Sequence, residues 1–396
     1  MIQDYHLQAI LQRHIETEAP KHYTISLHSL SQCCKHPLQD PNQTSSGGVH
    51  VITHGKARRG AFLGLQMCGN SWSCPVCAPI RIAEKRIRVT KLLERARETG
   101  YVGIMVTFTI PHTIQQSAAE VLKNLHEAKH LYDLWFSNRK FLSTATRAKR
   151  YDVAGSVCAC ECKYSYSRGF HFHYHVVYVV RAKDEQKFRA DEAVFRRKWQ
   201  SLTERFKPAY YQYKTEPKGL HISEQLITNG DYIAKELCKT SNGKRGCSIE
   251  MFELLQTDDP RDKDIFIEFA AAVRGYARVR CSSRLRQNLA ISAEELKAQI
   301  VGEFDFTAPK VVATFTFDAW YEICRNEYDT RKLHRRWILL RAQLDGFDGV
   351  RDYCLENALP VPMAPYVTFQ ESTVEETESS AETSGLAASS TTSILA

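Results

Sequence analysis

The stretch Gly169 to Val180, GFHFHYHVVYVV, fits a β-strand and little else. His171, His173 and His175 alternate with Phe172 and Tyr174 and then run into a β-branched segment. On a strand, side chains two apart share a face, so the imidazoles line one side while Phe172, Tyr174 and Val176 pack on the other. Val153 to Tyr166 is a second β-rich run, and Ser167, Arg168 and Gly169 form a short turn between the two, which predicts an antiparallel hairpin. Same-face neighbours lie about 6–7 Å apart, close enough for two imidazoles to share a metal ion. Strand parity places Glu161 next to the histidines across the hairpin as a candidate third ligand beside two of the imidazoles. Cys158, Cys160 and Cys162 then point to the opposite face and read as small buried side chains. Half-buried structural histidines also alternate, but three in register within five residues favour a metal site.

Periodicity supplies the elements around this hairpin. Leu7, Ile10, Leu11 and Ile15 recur at helical spacing between Gln3 and Glu18. Tyr101 to Ile110 is β-rich and stops at Pro111. Ala118 to Phe136 and Ala182 to Phe206 read as helices, Leu220 to Glu224 as an edge strand, and Tyr232 to Lys239 as a short helix. The resulting order predicts an α+β fold, a central antiparallel sheet with helices packed on it. Beyond Ser292 a helix, a strand at Val311 to Phe317 and further helices to about Asn357 are expected. The implied organisation is a Cys-rich and basic region over 1–100, the sheet domain over 101–290, a helical region over 291–370, and a tail over 371–396. That Ser/Thr/Glu-rich tail is too poor in core residues to fold.

The chain has 13 cysteines, an odd count. With no export signal visible, metal ligands or buried thiols explain them better than a disulfide framework. Cys68, Cys74 and Cys77 in CGNSWSCPVC form a knuckle around Pro75 of the kind that wraps tetrahedral zinc. The adjacent Cys33 and Cys34 are the obvious donors of a fourth ligand, with Cys34 taken as that ligand and His36, His50 and His54 as substitutes. Directly after the knuckle, seven Lys or Arg and three Glu lie between Arg81 and Glu98 on an amphipathic helical pattern. Such a helix is either simply solvated or held by zinc against DNA. The net charge is +8, and five acidic residues with no basic ones fall in 371–396, so the rest of the chain carries +13, a field suited to a polyanion. No run of 18 apolar residues occurs and Met1 to Ile10 lacks a basic-then-apolar leader, so no membrane partner and a cytoplasmic location are expected.

In NGDYIAKELCK, Tyr232, Lys235, Glu236 and Lys239 share one helix face. A phenol beside cations suits covalent phosphoryl transfer, because its pKa of about 10 makes it a better leaving group than an alkyl hydroxyl and so keeps the step reversible. Alone, Tyr-x-x-Lys is a common structural pattern; it gains weight beside the histidine strand.

Taken together, these segments resemble the plasmid rolling-circle replication initiators, members of the HUH endonuclease superfamily. VTFTIPHT (Val106 to Thr113) is similar to the family's first motif, GFHFHYHVVYV (Gly169 to Val179) to its histidine-hydrophobic-histidine motif, and DYIAKE (Asp231 to Glu236) to its third. CGNSWSCPVC and GYARVRCSSRLRQNL (Gly275 to Leu289) also look like segments of one branch. The resemblance spans roughly Cys33 to Leu289 and implies a palm-like sheet. It also implies a catalytic Mn2+ or Mg2+ on His173 and His175, with His171 as neighbour, and Tyr232 as nucleophile with Lys235 as its companion. The implied activity nicks one strand of plasmid origin DNA, single-stranded or supercoiled, through a 5′-phosphotyrosine link that leaves a 3′-hydroxyl primer. Host helicase and polymerase would then be partners. Some relatives carry a glutamate one turn before the tyrosine, where this chain has Thr228, and others a second tyrosine one turn after, where it has Glu236. Glu236 and Asp231 are therefore the carboxylates available to activate water at termination.

Two other classes compete. His-Phe-His-Tyr-His-Val-Val also fits the histidine-triad nucleotide hydrolase pattern, which leaves the cysteine knuckle and the tyrosine helix unexplained. A non-catalytic zinc DNA-binding regulator leaves the histidine strand unexplained. A transposase or relaxase of the same superfamily would differ only in the DNA processed. Deleting residues 371–396 is expected to leave nicking unchanged, measured as relaxation of supercoiled plasmid; a large loss would give the tail a role.

Overall fold

The computed structural model describes residues 2–19, 27–38, 48–54, 58–137, 151–208, 219–224, 249–292, 310–330 and 333–364. Over these the chain is α+β, with two antiparallel sheets and helices on them. Helix α1 (Ile2–Thr17) and the single turn α2 (His28–Ser31) precede strands β1 (Val49–His54) and β2 (Arg59–Leu63). Helix α3 (Cys77–Glu98), strand β3 (Tyr101–Thr109) and helix α4 (Ala118–Ser137) lead to the hairpin of β4 (Val153–Ser165) and β5 (Gly169–Arg181). Then come α5 (Glu185–Ala190), α6 (Glu192–Thr203), β6 (Leu220–Ile222), β7 (Ile249–Glu250), α7 (Pro260–Ala272), β8 (Val279–Cys281) and α8 (Ser283–Asn288). Strand β9 (Lys310–Phe315), α9 (Phe317–Thr330) and α10 (His334–Glu356) follow.

The large sheet runs β6-β3-β5-β4-β7, with β8 on the edge of β4 beside β7. Its centre is the hairpin that alternation predicts. Ser165 pairs with Gly169, so three residues close the loop, and Gly169 has φ of +80°. A side chain there would sit in the left-handed region and meet Ile114 Cα at 3.0 Å. From this turn the register runs without a slip to Gly155, pairing Glu161 with His173 and Cys162 with Phe172.

The two faces of the sheet bury different sets. Phe172, Tyr174, Val176, Tyr178 and Val180 of β5 join Ile104, Val106 and Phe108 of β3 in the main core, against Leu125 and Phe136 of α4 and Phe269 of α7. On the other face Val177 and Val179 meet Val157 and Ala159 of β4 and are covered by Ile82, Val89, Leu92 and Leu93 of α3. The basic amphipathic helix thus packs on the histidine-bearing side of the sheet.

The helix expected over Ala182 to Phe206 is instead two helices flanked by 3₁₀ turns, broken at Asp191. Phe188 before the break and Phe195 after it are both buried, their rings 5.0 Å apart, and Asp191 accepts the Tyr151 hydroxyl. The bend lets both rings enter one cluster. The helix expected at Tyr232 to Lys239, the one after Ser292 and the 371–396 tail lie outside the described residues.

The second sheet joins the two ends of the sequence. Strand β9, expected near Val311 to Phe317, pairs with β1 (Val51 with Ala313), giving the order β2-β1-β9. A buried ion pair ties this region together: Arg335 Nε of α10 lies 2.6 Å from Glu327 Oε2 of α9. Arg335 also donates to Gln12 of α1 at 3.1 Å and to the Cys34 carbonyl at 3.5 Å. Because a buried carboxylate without its cation is strongly unfavourable, Arg335→Met is expected to cost about 3–5 kcal/mol. Urea unfolding measures it, and the double change with Glu327→Leu should recover most of the loss.

Candidate functional site

Glu161, His173 and His175 come together on the α3 side of the sheet, where β4 and β5 run side by side. Direct pairing sets Glu161 opposite His173, with Nε2 at 3.2 Å from Glu161 Oε2. The Nε2 atom of His175 lies 3.6 Å from the same oxygen. The His173 ring is 7% exposed, so little water reaches it. Burial alone would raise the Glu161 carboxyl, but hydrogen bonds and charge from His173 and His175 hold it well below the usual carboxylate range.

Strand β3 supplies an orienting contact. Thr107 pairs with His175, and its Oγ1 lies 3.0 Å from His175 Nδ1. With the Nδ1 proton on Thr107, the Nε2 lone pair of His175 faces Glu161, which is how outer contacts aim a ligating imidazole. Two imidazole nitrogens directed at one carboxylate oxygen can be satisfied without a cation only if both donate protons. His173 Nδ1 is buried with no hydrogen-bond partner among the described residues. A metal ion among the three groups accepts all the converging lone pairs, so the donor set fits one.

His171, expected as a neighbouring ligand, is not part of this group. Its ring pairs instead with His112, Nδ1 to Nε2 at 2.9 Å. His112 Nδ1 faces the Arg168 carbonyl at 3.1 Å. A carbonyl can only accept, so His112 carries its proton on Nδ1 and takes the Nδ1–H of His171 on Nε2. Burial first, then His173, His112, Lys163 and Arg168, lower His171 to about 3 and keep it neutral. His112 and Thr107 were not singled out from sequence. Both belong to VTFTIPHT, but only strand register brings them to the histidines. On the far face Cys160 and Cys162 are buried in the main core, their thiols pushed up by burial.

The second group is four sulfurs: Cys33, Cys68, Cys74 and Cys77. Cys33 Sγ lies 3.5 Å from Cys77 Sγ and 3.6 Å from Cys74 Sγ, and Cys68 Sγ lies 3.7 Å from Cys77 Sγ. A tetrahedron with zinc–sulfur bonds of about 2.3 Å has edges of about 3.8 Å, so the spacing is compatible with zinc. Backbone N–H groups of Cys68 and Cys77 donate to Cys33 Sγ and Cys74 Sγ at 3.4 and 3.3 Å. Hydrogen bonds from the thiols of Cys34, Cys68, Cys74 and Cys77 drive Cys33 far below the ordinary thiol range. The fourth sulfur of the group is Cys33, which corrects the expectation of Cys34. Residue 34 turns away through a left-handed backbone (φ 60°) while its N–H donates to Gln66 O at 2.9 Å. Its sulfur approaches Cys33 at 3.6 Å but lies outside the cluster. Helix α1 braces the site, with Gln12 donating to Cys33 O at 2.7 Å and Gln8 accepting from Cys74 Sγ at 3.4 Å.

The expected residues Asp231, Tyr232, Lys235 and Glu236 lie outside the described residues, as does Thr228. No helix among the described residues is long and apolar enough to cross a membrane. No family model, curated protein or solved structure matches the chain.

The cysteine assignment separates two adjacent residues. Cys33→Ser is expected to lose the bound metal, read as zinc per chain by native mass spectrometry, whereas Cys34→Ser keeps it. The reverse pattern would reinstate Cys34.

Proposed function

We propose that the chain is a metal-dependent DNA nicking and joining endonuclease of the rolling-circle initiator kind. Its sheet would serve as an HUH-type palm, with a structural zinc at the four cysteines. The observation that carries this reading is the convergence of His173 and His175 on Glu161 on one sheet face. The +13 charge of residues 1–370 and the motif order in the sequence support it. Direct pairing of a carboxylate with the central imidazole favours a metal site over the histidine-triad hydrolase, whose chemistry needs no such carboxylate.

Glu161, His173 and His175 would hold Mn2+ or Mg2+, which when bound supplies Lewis-acid polarisation of a phosphoryl oxygen. The chain's own residues do the rest. The Tyr232 phenol oxygen attacks the scissile phosphorus as its proton leaves; the bond from phosphorus to the 3′ oxygen breaks, and that oxygen takes up a proton. Tyr232 is then esterified to the 5′ phosphate, and the free 3′-hydroxyl can prime synthesis. Lys235 offsets the charge growing on the phosphoryl oxygens. At termination Glu236 or Asp231 draws a proton from water.

Incubation with single-stranded DNA and manganese tests this, with the adduct mapped by peptide mass spectrometry. A nucleotide on Tyr232, lost in Tyr232→Phe with DNA binding retained, is the expected result. His173→Ala should reduce cleavage at least 100-fold. Adduct persisting in Tyr232→Phe, or full cleavage by His173→Ala, overturns the assignment.

A further inference from the structure

The last 18 residues of the large-sheet region, 274–291, hold five arginines and no aspartate or glutamate. They form β8 and the six-residue helix α8, on which Arg284 and Arg286 are exposed on either side of buried Leu285. So short a helix has little stability of its own, yet this one is fastened to β4 at several points. Ser282 N–H donates to Ser156 O at 2.8 Å, and Ser156 N–H donates to Ser282 Oγ at 2.9 Å. Asn288 Nδ2 donates to the Ala154 carbonyl at 2.7 Å. Leu285 sits so close that a Cβ on Gly155 would lie 2.8 Å from its own Cβ and 2.5 Å from Ser282 Oγ. These contacts fix the backbone of α8, from which Arg284 and Arg286 project into solvent.

Helix α3 lies beside it. Ile82 and Val89 of α3, Leu285 of α8 and Leu289 just after it share one buried cluster on the same sheet face. All three glutamates of α3 are engaged along the helix: Glu84 by Arg81 at 3.1 Å, Glu94 by Lys91 at 3.4 Å and Glu98 by Arg95 at 3.2 Å. Lys85 and Arg88 have no acidic partner among the described residues, and Arg88 Nε is buried with no hydrogen-bond partner. Burial raises the Cys281 thiol of β8, and Lys85, Arg88 and Arg286 all act against that rise, as three cations gathered around one point do.

This cationic ground lies on the same sheet face as the candidate metal group. Val157 and Ala159, under α3 and α8, point to the same face of β4 as Glu161. Leu285 of α8 sits over Gly155, six residues along β4 from Glu161, so α8 lies roughly 20 Å from the histidines, a span that several nucleotides of a bound strand would cover.

We propose that Lys85 and Arg88 of α3 with Arg284 and Arg286 of α8 form a platform that grips the phosphate backbone of duplex DNA on the same sheet face as the nicking centre. This rests on the nicking reading for its biological setting, but its physical content is a sequence-independent polyanion contact. Arginine and lysine on fixed elements position a duplex without reading bases.

The full-length quadruple variant Lys85→Ala, Arg88→Ala, Arg284→Ala, Arg286→Ala tests it, with circular dichroism and melting to confirm the fold. Binding to a mixed-sequence 30-base-pair duplex is titrated between about 0.05 and 0.2 M salt. Affinity is expected to fall roughly 10- to 100-fold, and the log–log salt slope to become shallower by about 3–4, since each lost phosphate contact removes about 0.9. Cleavage of a short single-stranded oligonucleotide should persist. An unchanged duplex affinity and slope would overturn the platform. So would equal weakening for anionic phosphatidylserine vesicles that bind more tightly than DNA, which would assign the surface to a membrane. If the wild type cleaves no DNA while the variant still loses duplex binding, the nicking reading fails and the platform stands. Should the quadruple variant melt early, Arg284→Ala with Arg286→Ala on exposed positions is expected to lose about half of the slope change, and no change there overturns the proposal.

Discussion

The antiparallel register between β4 and β5 is the constraint on which the candidate chemistry depends. Side chains repeat every second residue on a strand, so a slip of one position would carry Glu161 to the core face and bring Cys160 or Cys162 against the imidazoles. Two features prevent the slip. Gly169, with its left-handed backbone, fixes the loop length, and the neighbouring positions bury Phe172, Tyr174 and Tyr178 on one side only. Burying the wrong set would expose three aromatic rings and enclose three imidazoles, a difference of several kcal/mol in apolar transfer alone, at about 25 cal/mol per Å². The metal group is thus stabilised by the hydrophobic face behind it.

The sulfur cluster plays a comparable part in the other half of the described chain. Cys33 follows α2, Cys68 lies past β2, and Cys77 is the first residue of α3. Three separate segments meet there, and α1 and α10 reach it through Gln8, Gln12 and Arg335. A metal at that point would close loops of the unfolded chain as a crosslink does, and its binding energy would become folding energy. Helix α3 leaves this cluster and runs across the histidine face of the large sheet, so one element connects the sulfur cluster to the face that carries Glu161, His173 and His175. Its cations are held in place at one end by sulfur and along its length by the buried Ile82, Val89 and Leu92.

Much of the large sheet was legible in the amino-acid sequence. The hairpin, β3, α4 and the burial of Cys160 and Cys162 opposite the histidines follow from parity and turn chemistry, as does Glu161 beside His173 and His175. Those signals are local or depend on a short connection, where counting residues fixes geometry. The break at Asp191, the Thr107 contact and the pairing of His112 with His171 were not legible, because each depends on side chains meeting from segments that a pattern cannot dock. Cys33 and Cys34 looked equivalent for the same reason. Adjacent residues differ only in which way the backbone turns.

Sequence by itself determined which faces the strands bury, that the chain carries cysteine and histidine in ligand-like spacing, and that basic residues outnumber acidic ones outside the last 26 residues. Tertiary structure alone decided that β9 returns to pair with β1, that Cys33 completes the sulfur cluster, and that α3 and α8 lie side by side on the histidine face. Periodicity and charge are properties of neighbours along the chain. Long-range pairing is set by which surfaces can exclude water together, and that is a property of the folded whole.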